Sequence, residues 1–397
     1  MTNLPILSDK TLELLPDGIV QPAYDRARHG VGIVHIGVGA FHKAHQAVYT
    51  DSAIEKSGGD WMIAGISLRS TSARDQLSPQ DCLYSVCTQD GSTEQLRIIG
   101  AIRDMFAASE EFDKSLALFA QRQVHVVTLT ITEKGYCLSP DTGALDFDHP
   151  DIVQDLKNPD QPNSAIGFIC AGLTKRRVTD GLPLTVISCD NISDNGTKLE
   201  NAISAFLERS DSETALWVKN NVTFPGTMVD RIVPATTRQD RDKTALRLRV
   251  NDAACVKTEP FNQWIIENDF AGPVPNWEGV GAMLVEDVSP YELAKLRLLN
   301  GPHSAIAYLG SLGGHEFVHQ AMAEPGLARF ITELMEDEIA PMVSAVAGFD
   351  LTSYASSLTD RFANPALRHR LAQVATDGSQ KLPQRILPVL QERLAQN

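Results

Sequence analysis

The chain is organised around the stretch from Gly32 to Gly39, which reads G-I-V-H-I-G-V-G. A short apolar run without polar alternation is typical of a parallel strand that is buried on both faces. The glycines at its end indicate a tight turn, and the segment from Phe41 to Lys56 suits a helix. A second apolar run, from Trp61 to Leu68, completes a strand–helix–strand unit.

Further apolar runs extend this pattern at Val124–Ile131 and Leu184–Ser188. Strands that alternate with helices predict an α/β fold with a doubly wound, Rossmann-type sheet. From about residue 286 the pattern turns helical, and we expect helices over Tyr291–Leu299, Ser304–Leu312, Gly326–Ile339 and Pro365–Ala375. The sequence therefore predicts a Rossmann-type domain over residues 1–285 and a mostly α-helical domain over residues 286–397.

The composition narrows the class of protein. Hydrophobic residues make up 43% of the 397 residues and charged residues 21%, which is typical of a globular domain. The net charge of −15 argues against nucleic-acid binding, which needs a basic face. None of the six cysteines forms a C-x-x-C pair, and neither a secretory signal nor a membrane-spanning run is evident. We therefore expect a cytoplasmic protein with a small-molecule partner; the oligomeric state stays open.

The glycine turn is a candidate site for a dinucleotide. Gly37 would permit the tight turn, and Gly39 would let the backbone approach a pyrophosphate at the helix start formed by Ala40 and Phe41. His42 occupies the place of the usual third glycine. An ordinary strand-to-helix turn therefore stays open as the alternative.

The end of the second strand bears on the choice of cofactor. An acid there would favour NAD and a cation would favour NADP, but the chain has Leu68-Arg69-Ser70 and no acid. We predict NAD as the cofactor, and Arg69 is a candidate cofactor contact that leaves NADP possible; a solvated surface residue is the alternative for Arg69. His42 and His45 could supply half of a metal site, but no third ligand is evident, so no metal is predicted.

A polar set in the helical domain is the candidate catalytic centre. Glu292, Lys295, Asn300 and His303 lie within twelve apolar-rich residues, and on an ideal helix they would fall within an arc of about 140°. A lysine whose pKa is lowered by burial can act as a general base, and an amide N–H can stabilise an alkoxide. Pro302 should kink or restart the helix near Asn300, and a solvated helix face remains the alternative.

Five stretches together carry a specific resemblance. They read I-V-H-I-G-V-G-A-F-H-K-A-H-Q-A, T-I-T-E-K-G-Y, S-C-D-N-I-S-D-N-G, F-P-G-T-M-V-D-R-I-V-P-A-T and K-L-R-L-L-N-G-P-H-S. With these motifs the chain resembles the long-chain polyol-specific dehydrogenases, the family of mannitol 2-dehydrogenase and fructuronate reductase, from about residue 32 to 390. The resemblance implies a Rossmann-type domain and a helical domain with the active site between them, and no metal.

The resemblance also implies roles for individual residues. Lys295 would be the general acid/base, Asn191 and Asn300 would stabilise the oxyanion, and His303 would position the substrate. Glu292 would relay protons between Lys295 and solvent.

Asp230, in M-V-D-R, would lie near cofactor or substrate. For Asn191 and Asp230, a turn or capping role remains the alternative. Members of the family extend well beyond Asn397, so the resemblance implies a C-terminal domain that is incomplete here.

The stretch from Arg361 to Arg385 points to the substrate. It is rich in Arg, His and Lys with only Asp377 opposed, and a uronate carboxylate needs such a cation. Its D-G-S-Q-K-L-P-Q-R segment also looks more like that of fructuronate reductases. We expect substrate contacts from Arg361 and Lys381, and reversible reduction of D-fructuronate to D-mannonate. The alternatives are a mannitol (polyol) 2-dehydrogenase and a catalytically silent, cofactor-binding regulatory module.

Overall fold

The apolar run that follows Gly30 forms a strand, Val31–Ile36, in which five of the six residues are buried. The computed structural model describes residues 4–179, 181–344 and 349–396. It divides into two compact units. The first comprises Met1–Cys87, Gln95–Lys257 and Phe261–Glu286, and the second comprises Thr88–Glu94, Thr258–Pro260 and Asp287–Asn397.

The strands of the described residues are, in chain order, β1 (Val31–Ile36), β2 (Met62–Ser67), β3 (Tyr84–Asp90), β4 (Thr93–Ile99), β5 (Ile102–Ala107), β6 (Val126–Leu129), β7 (Leu184–Ser188), β8 (Val222–Thr223), β9 (Thr227–Asp230), β10 (Val256–Thr258), β11 (Gln263–Glu267) and β12 (Met283–Val285). The helices of the first unit are α1 (Ala40–Ala44), α2 (Gln46–Ser57), α3 (Ser72–Leu77), α4 (Ala108–Ala117), α5 (Pro150–Lys157), α6 (Ala165–Thr179), α7 (Asn195–Ser210), α8 (Ser212–Asn221) and α9 (Arg238–Leu248). Short 3-10 turns lie at Asp9–Leu14, Arg26–Arg28, Ser78–Gln80, Leu118–Ala120, Glu133–Tyr136 and Glu278–Val280.

The central sheet of the first unit has six parallel strands in the order β5-β2-β1-β6-β7-β8. The chain moves outward from β1 to β2 and β5, then returns to β6 on the other side of β1. This reversal is the topological switch point of a doubly wound sheet, where the crevice outside the carboxyl ends of the strands binds ligands. The predicted Rossmann-type fold is thereby confirmed.

Both faces of this sheet are covered, which explains its uninterrupted apolar runs. Ile33 and Ile187 face one buried cluster, whereas Val34 and Val186 face another. Successive strand residues point to opposite faces, so a strand buried on both sides cannot alternate with polar residues.

Several elements differ from the sequence expectations. The helix predicted over Phe41–Lys56 is divided, because His45 leaves the helical conformation with φ −124° and ψ −91° between α1 and α2. The prediction also lacked two three-stranded sheets, β10-β3-β4 and β12-β11-β9. Their strands are short or partly exposed, and their apolar runs are correspondingly weak.

The second unit is mostly helical. Its helices are α10 (Ser289–Lys295), α11 (Gly301–Leu312), α12 (Val318–Met322), α13 (Pro325–Glu333), α14 (Leu351–Ala363), α15 (Leu371–Val374), α16 (Gly378–Arg385) and α17 (Leu387–Gln396), with π-helical segments at Leu296–Asn300 and Leu334–Ile339 and a 3-10 turn at Ala340–Met342. The expected helix over Pro365–Ala375 was wrong for most of its length. The chain there is irregular up to Arg370, where it forms a bridge with Phe317, and only Leu371–Val374 is helical.

Candidate active site

Gly37 directly follows β1 and has a conformation that only glycine adopts easily, with φ of +91°. A β-carbon there would lie 2.2 Å from the carbonyl oxygen of Thr130, directly after β6. The Gly37 N–H donates to the carbonyl oxygen of Ile66 on β2 at 2.8 Å, and its own carbonyl accepts from Thr130 Oγ1 at 2.8 Å. The fold itself therefore requires this glycine.

Gly39 differs from Gly37 in having no such constraint. It is exposed, its φ of −106° suits any residue, and it precedes the first residue of α1. Among the described residues, a β-carbon at Gly39 would come within 4 Å only of the Gly37 carbonyl oxygen, at 3.8 Å. Ala40 and Phe41 follow it and are half-buried, and the Phe41 ring stacks on His45 at 4.9 Å between centroids. Gly39 thus leaves the backbone open to an approaching group.

The histidines near this turn belong to the core of the unit. The rings of His35 and His42 stack with their centroids 3.4 Å apart, and His35 Nδ1 and Nε2 lie 2.7 and 3.1 Å from the hydroxyls of Thr128 and Thr130. Burial lowers the pKa of His35 to about 3 and that of His42 well below its usual value. His45 Nε2 lies 2.9 Å from the carbonyl oxygen of Gln263. No group of three or more His, Cys, Asp or Glu side chains in residues 4–179, 181–344 and 349–396 is arranged to hold a metal ion.

Arg69 lies just beyond β2, as the sequence indicated, and its side chain is 76% exposed. Its Nη2 atom lies 2.7 Å from the Asp151 carboxylate on α5. Arg69, the cation that could favour NADP, therefore already lies close to an acid. The attraction within an exposed ion pair of this kind is weak.

Asp190 joins the two loops that follow β6 and β7. Its buried carboxylate accepts hydrogen bonds from the N–H groups of Ile131 and Thr132 at 2.9 and 2.8 Å and from the Tyr136 hydroxyl at 2.9 Å. Burial raises the pKa of Asp190, although the two backbone N–H groups oppose this. Thr132 has φ of +65°, a strained value for a β-branched residue, and the bond to Asp190 helps to hold it.

Two predicted residues are connected to this network. Asn191 follows Asp190 and is exposed, while Asp230 ends β9 and is 3% exposed. Asn195 Nδ2 donates to the carbonyl oxygens of Asp190 and Thr227, at 3.1 and 2.8 Å, and its Oδ1 accepts from the Thr227 N–H at 2.9 Å. The loop that bears Asn191 is thereby tied to the strand that bears Asp230. Sequence reasoning missed Asp190 and Asn195, although both lie in the motif S-C-D-N-I-S-D-N-G.

In the second unit, Lys295 is the last residue of α10 and is 7% exposed. Glu292, one helical turn earlier, is half-buried. A lysine is rarely buried to this extent unless its ammonium group is engaged, so the solvated helix face that the sequence left open does not describe Lys295.

Asn300 ends a π-helical segment, Leu296–Asn300, and α11 begins at Gly301. Pro302 lies in the first turn of α11, where its missing N–H is tolerated, and the irregularity near Asn300 is the π-helical segment, since Asn300 and Gly301 both keep helical backbone angles. A π-helix turns less per residue than an α-helix, so the ideal-helix arc that relates Lys295 to Asn300 and His303 was wrong in detail. Such segments occur often at functional sites. Among the described residues, none hydrogen-bonds the side-chain amide of half-buried Asn300.

His303 is half-buried, one turn into α11. Its ring stacks on Phe362 at 5.1 Å between centroids and meets His369 edge-on at 5.0 Å. These two ring contacts hold the plane of the His303 imidazole.

The two predicted substrate contacts have different surroundings. Arg361 is buried, and its Nε and Nη2 atoms donate to the Glu259 carboxylate at 2.8 and 2.7 Å. Asp377 is the only acid within the segment itself, but Glu259, which is distant in the sequence, lies next to Arg361 in the fold. A substrate carboxylate would have to displace Glu259 from those donors of Arg361. Lys381 is half-buried on α16.

Comparison with known families and proteins gives consistent results. The family model of the mannitol dehydrogenase Rossmann domain matches residues 31–279, and that of the mannitol dehydrogenase C-terminal domain matches residues 287–397. No helix in the described residues is long and apolar enough to cross a membrane.

Individual relatives cover nearly the whole chain. An oxidoreductase of Escherichia coli named YeiQ, described as uncharacterised, is 45% identical over 94% of this chain and 77% of its own length. The D-mannonate oxidoreductase of the same organism is 44% identical over 93% of this chain and 77% of its own length. The solved structure of Pseudomonas fluorescens mannitol 2-dehydrogenase, in complex with NAD and D-mannitol, matches with a TM-score of 0.91 and 40% identity over 98% of this chain and 80% of that one. With both family models matched and relatives of this identity along its length, the chain belongs to the mannitol dehydrogenase family of oxidoreductases.

Proposed function

We propose that the protein interconverts a secondary alcohol and a ketone of a sugar acid, reducing D-fructuronate to D-mannonate reversibly with a nicotinamide cofactor. The observation that carries the reaction type is the buried Lys295, followed after one π-helical segment by an Asn300 amide that no described residue hydrogen-bonds. In a family of oxidoreductases, a buried lysine beside an amide donor suits acid/base chemistry at an alcohol oxygen.

The first unit fits a dinucleotide. The turn at Gly37 and the exposed, unconstrained Gly39 lie at the carboxyl end of β1, next to the switch point of the sheet. Gly37, Gly39, Ala40 and Phe41 would hold the cofactor, with Asp230 nearby. The bound nicotinamide would supply or accept the hydride at the reacting carbon. We favour NAD, because Arg69 is largely exposed and close to Asp151.

The residues of this chain would manage the proton and the charge on oxygen. Lys295 would take the proton of the alcohol in oxidation and return it in reduction. The Asn300 amide would donate to that oxygen while it carries negative charge, and the Asn191 amide is the second donor that the family resemblance predicts. His303, fixed by its stacked neighbours, would orient the substrate, and Glu292 would pass the proton between Lys295 and solvent.

The choice of a sugar acid rests on two supports. The D-mannonate oxidoreductase of Escherichia coli shares 44% identity with this chain, and the C-terminal segment is rich in cations. The 40% identity with mannitol 2-dehydrogenase supports the second candidate, a polyol dehydrogenase that acts on fructose and mannitol. Two residues were predicted to bind the carboxylate of the substrate. Arg361 already donates to Glu259 through its Nε and Nη2 atoms, so we assign it a supporting role. Lys381 is retained as a predicted contact.

Steady-state kinetics with D-fructuronate and D-fructose, each with NADH and NADPH, test the proposal. We expect kcat/KM for D-fructuronate to exceed that for D-fructose at least about 100-fold, since a charge-assisted contact distinguishes them. A preference for fructose would support the polyol dehydrogenase instead. Tight cofactor binding without turnover of any polyol or uronate would support the regulatory module.

A further inference from the structure

Arg385, the last residue of α16, has a setting unlike that of the other arginines near it. Its Nη1 atom lies 3.1 Å from Ser304 Oγ and 3.5 Å from the carbonyl oxygen of Asn300. Both partners are neutral oxygens. A β-carbon at Gly301 would lie 3.0 Å from the Arg385 carbonyl oxygen, so this end of α16 packs directly on the start of α11.

The remaining arginines of the second unit are either paired or exposed. Arg297, Arg329, Arg361, Arg370 and Arg393 each lie within 4.0 Å of a carboxylate. Arg368 is exposed and lies over the Phe317 ring, 4.7 Å from its centroid. Within the described part of this unit, Arg385 is the one arginine that is partly buried and has no carboxylate within 4.0 Å.

A guanidinium group in this position is costly to the fold. Partial burial removes hydration from the cation, and two neutral oxygens return only part of that loss. Desolvation accordingly lowers the pKa of Arg385. An anion bound to the remaining N–H groups would offset this cost, so the residue suits an anionic ligand better than it suits the isolated chain.

Arg385 lies beside Asn300, a residue of the proposed reaction centre. Arg385 contacts the backbone of Asn300, and Lys381 lies four residues earlier on the same helix, a spacing that puts both side chains on one face. We propose that Arg385, together with Lys381, binds the carboxylate of the substrate and thereby makes the enzyme selective for a sugar acid over a neutral sugar. This inference rests on the function proposed above.

The test combines a substitution with a change in substrate charge. Kinetics of the wild type and of Arg385→Gln are measured on D-fructuronate and on D-fructuronamide, in which a neutral amide replaces the carboxylate. We expect Arg385→Gln to lower kcat/KM for D-fructuronate about 10- to 150-fold, mostly through KM, as the loss of a charge-assisted hydrogen bond would. The kcat/KM for D-fructuronamide should change by less than about 3-fold. Arg385→Lys should retain part of the selectivity, because lysine keeps the positive charge but cannot donate two parallel hydrogen bonds to a carboxylate as a guanidinium does.

The matched control is Arg368→Gln, which removes an exposed cation of the same segment and should leave both substrates unaffected. Equal losses on acid and amide would overturn the inference, since Arg385 would then serve only to hold the Asn300 backbone. An unchanged KM for the acid would overturn it as well. In both cases the wild type would still reduce D-fructuronate, so the proposed function would stand. A wild type that fails on D-fructuronate overturns the function, and this inference with it.

Discussion

Alanine should be tolerated very differently at Gly37 and at Gly39, two positions of the same turn. At Gly37 the residue would be strained by a φ of +91°, and its β-carbon would lie 2.2 Å from the Thr130 carbonyl oxygen. The conformational strain costs about 1–2 kcal/mol and the steric overlap about 1–3 kcal/mol. Gly37→Ala should therefore destabilise the first unit by about 2–5 kcal/mol, or roughly 5–15 °C in Tm.

Gly39→Ala should leave the stability almost unchanged, because a β-carbon would meet only the Gly37 carbonyl oxygen, at 3.8 Å, among the described residues. Its effect should fall on cofactor binding, since a methyl group would occupy the space through which the backbone approaches a pyrophosphate. A loss of affinity of about 10-fold corresponds to ~1.4 kcal/mol.

Two measurements separate these effects. Thermal unfolding followed by circular dichroism gives the stability of each variant without ligand, and quenching of tryptophan fluorescence by NADH gives the Kd. Gly91→Ala is the control for strain alone, because Gly91 has φ of +54° and no described neighbour within 4 Å of its β-carbon position. A Gly39→Ala variant that binds NADH like the wild type would refute the cofactor site at this turn. A Gly37→Ala variant as stable as the wild type would refute the steric reasoning.

Three further predictions concern buried polar residues. Lys295→Ala should lower turnover about 10²- to 10⁴-fold and leave the NADH affinity nearly unchanged; near-normal turnover would show that the proton carrier lies elsewhere. Burial holds the pKa of His35 at about 3 in the folded chain, whereas the same side chain has a pKa near 6.5 in the unfolded chain. As the pH falls, the unfolded chain therefore binds a proton at His35 that the folded chain does not bind. Stability should therefore fall by about 1.6 kcal/mol between pH 6.5 and 5 from this residue alone, and His35→Gln should remove that part of the slope in urea unfolding; an identical slope would contradict this. Glu259→Gln leaves the Arg361 cation buried without its carboxylate and should cost about 3 kcal/mol of unfolding free energy, whereas Glu316→Gln, in an exposed pair with Arg370, should cost less than about 0.5 kcal/mol; equal costs would contradict the importance of burial.

Local sequence patterns were sufficient for the fold class and the family. The strands β1, β2 and β7 were predicted to within three residues of their ends, because a strand buried on both faces appears in the sequence as a short run of consecutive apolar residues. Strand β9 and the helix α14 were not predicted. A short strand and a surface helix owe their stability to neighbours that are distant in the sequence, and composition alone does not identify those neighbours.

The candidate site residues also differ in how much of their role the sequence predicts. Gly37 and Gly39 belong to one sequence motif, and only the carbonyl of Thr130 packed against the turn shows that the first is required by the fold while the second is not.

By itself, the sequence determined the doubly wound sheet, the helical second unit and membership of an oxidoreductase family, since each depends on patterns of neighbouring residues. The tertiary structure decided which cations are already neutralised. Arg361 and Arg385 look alike in the sequence, but Glu259, 102 residues away from Arg361, pairs with one of them, while the other meets only neutral oxygens. An electrostatic partner is set by distance in space, and distance along the chain does not encode it.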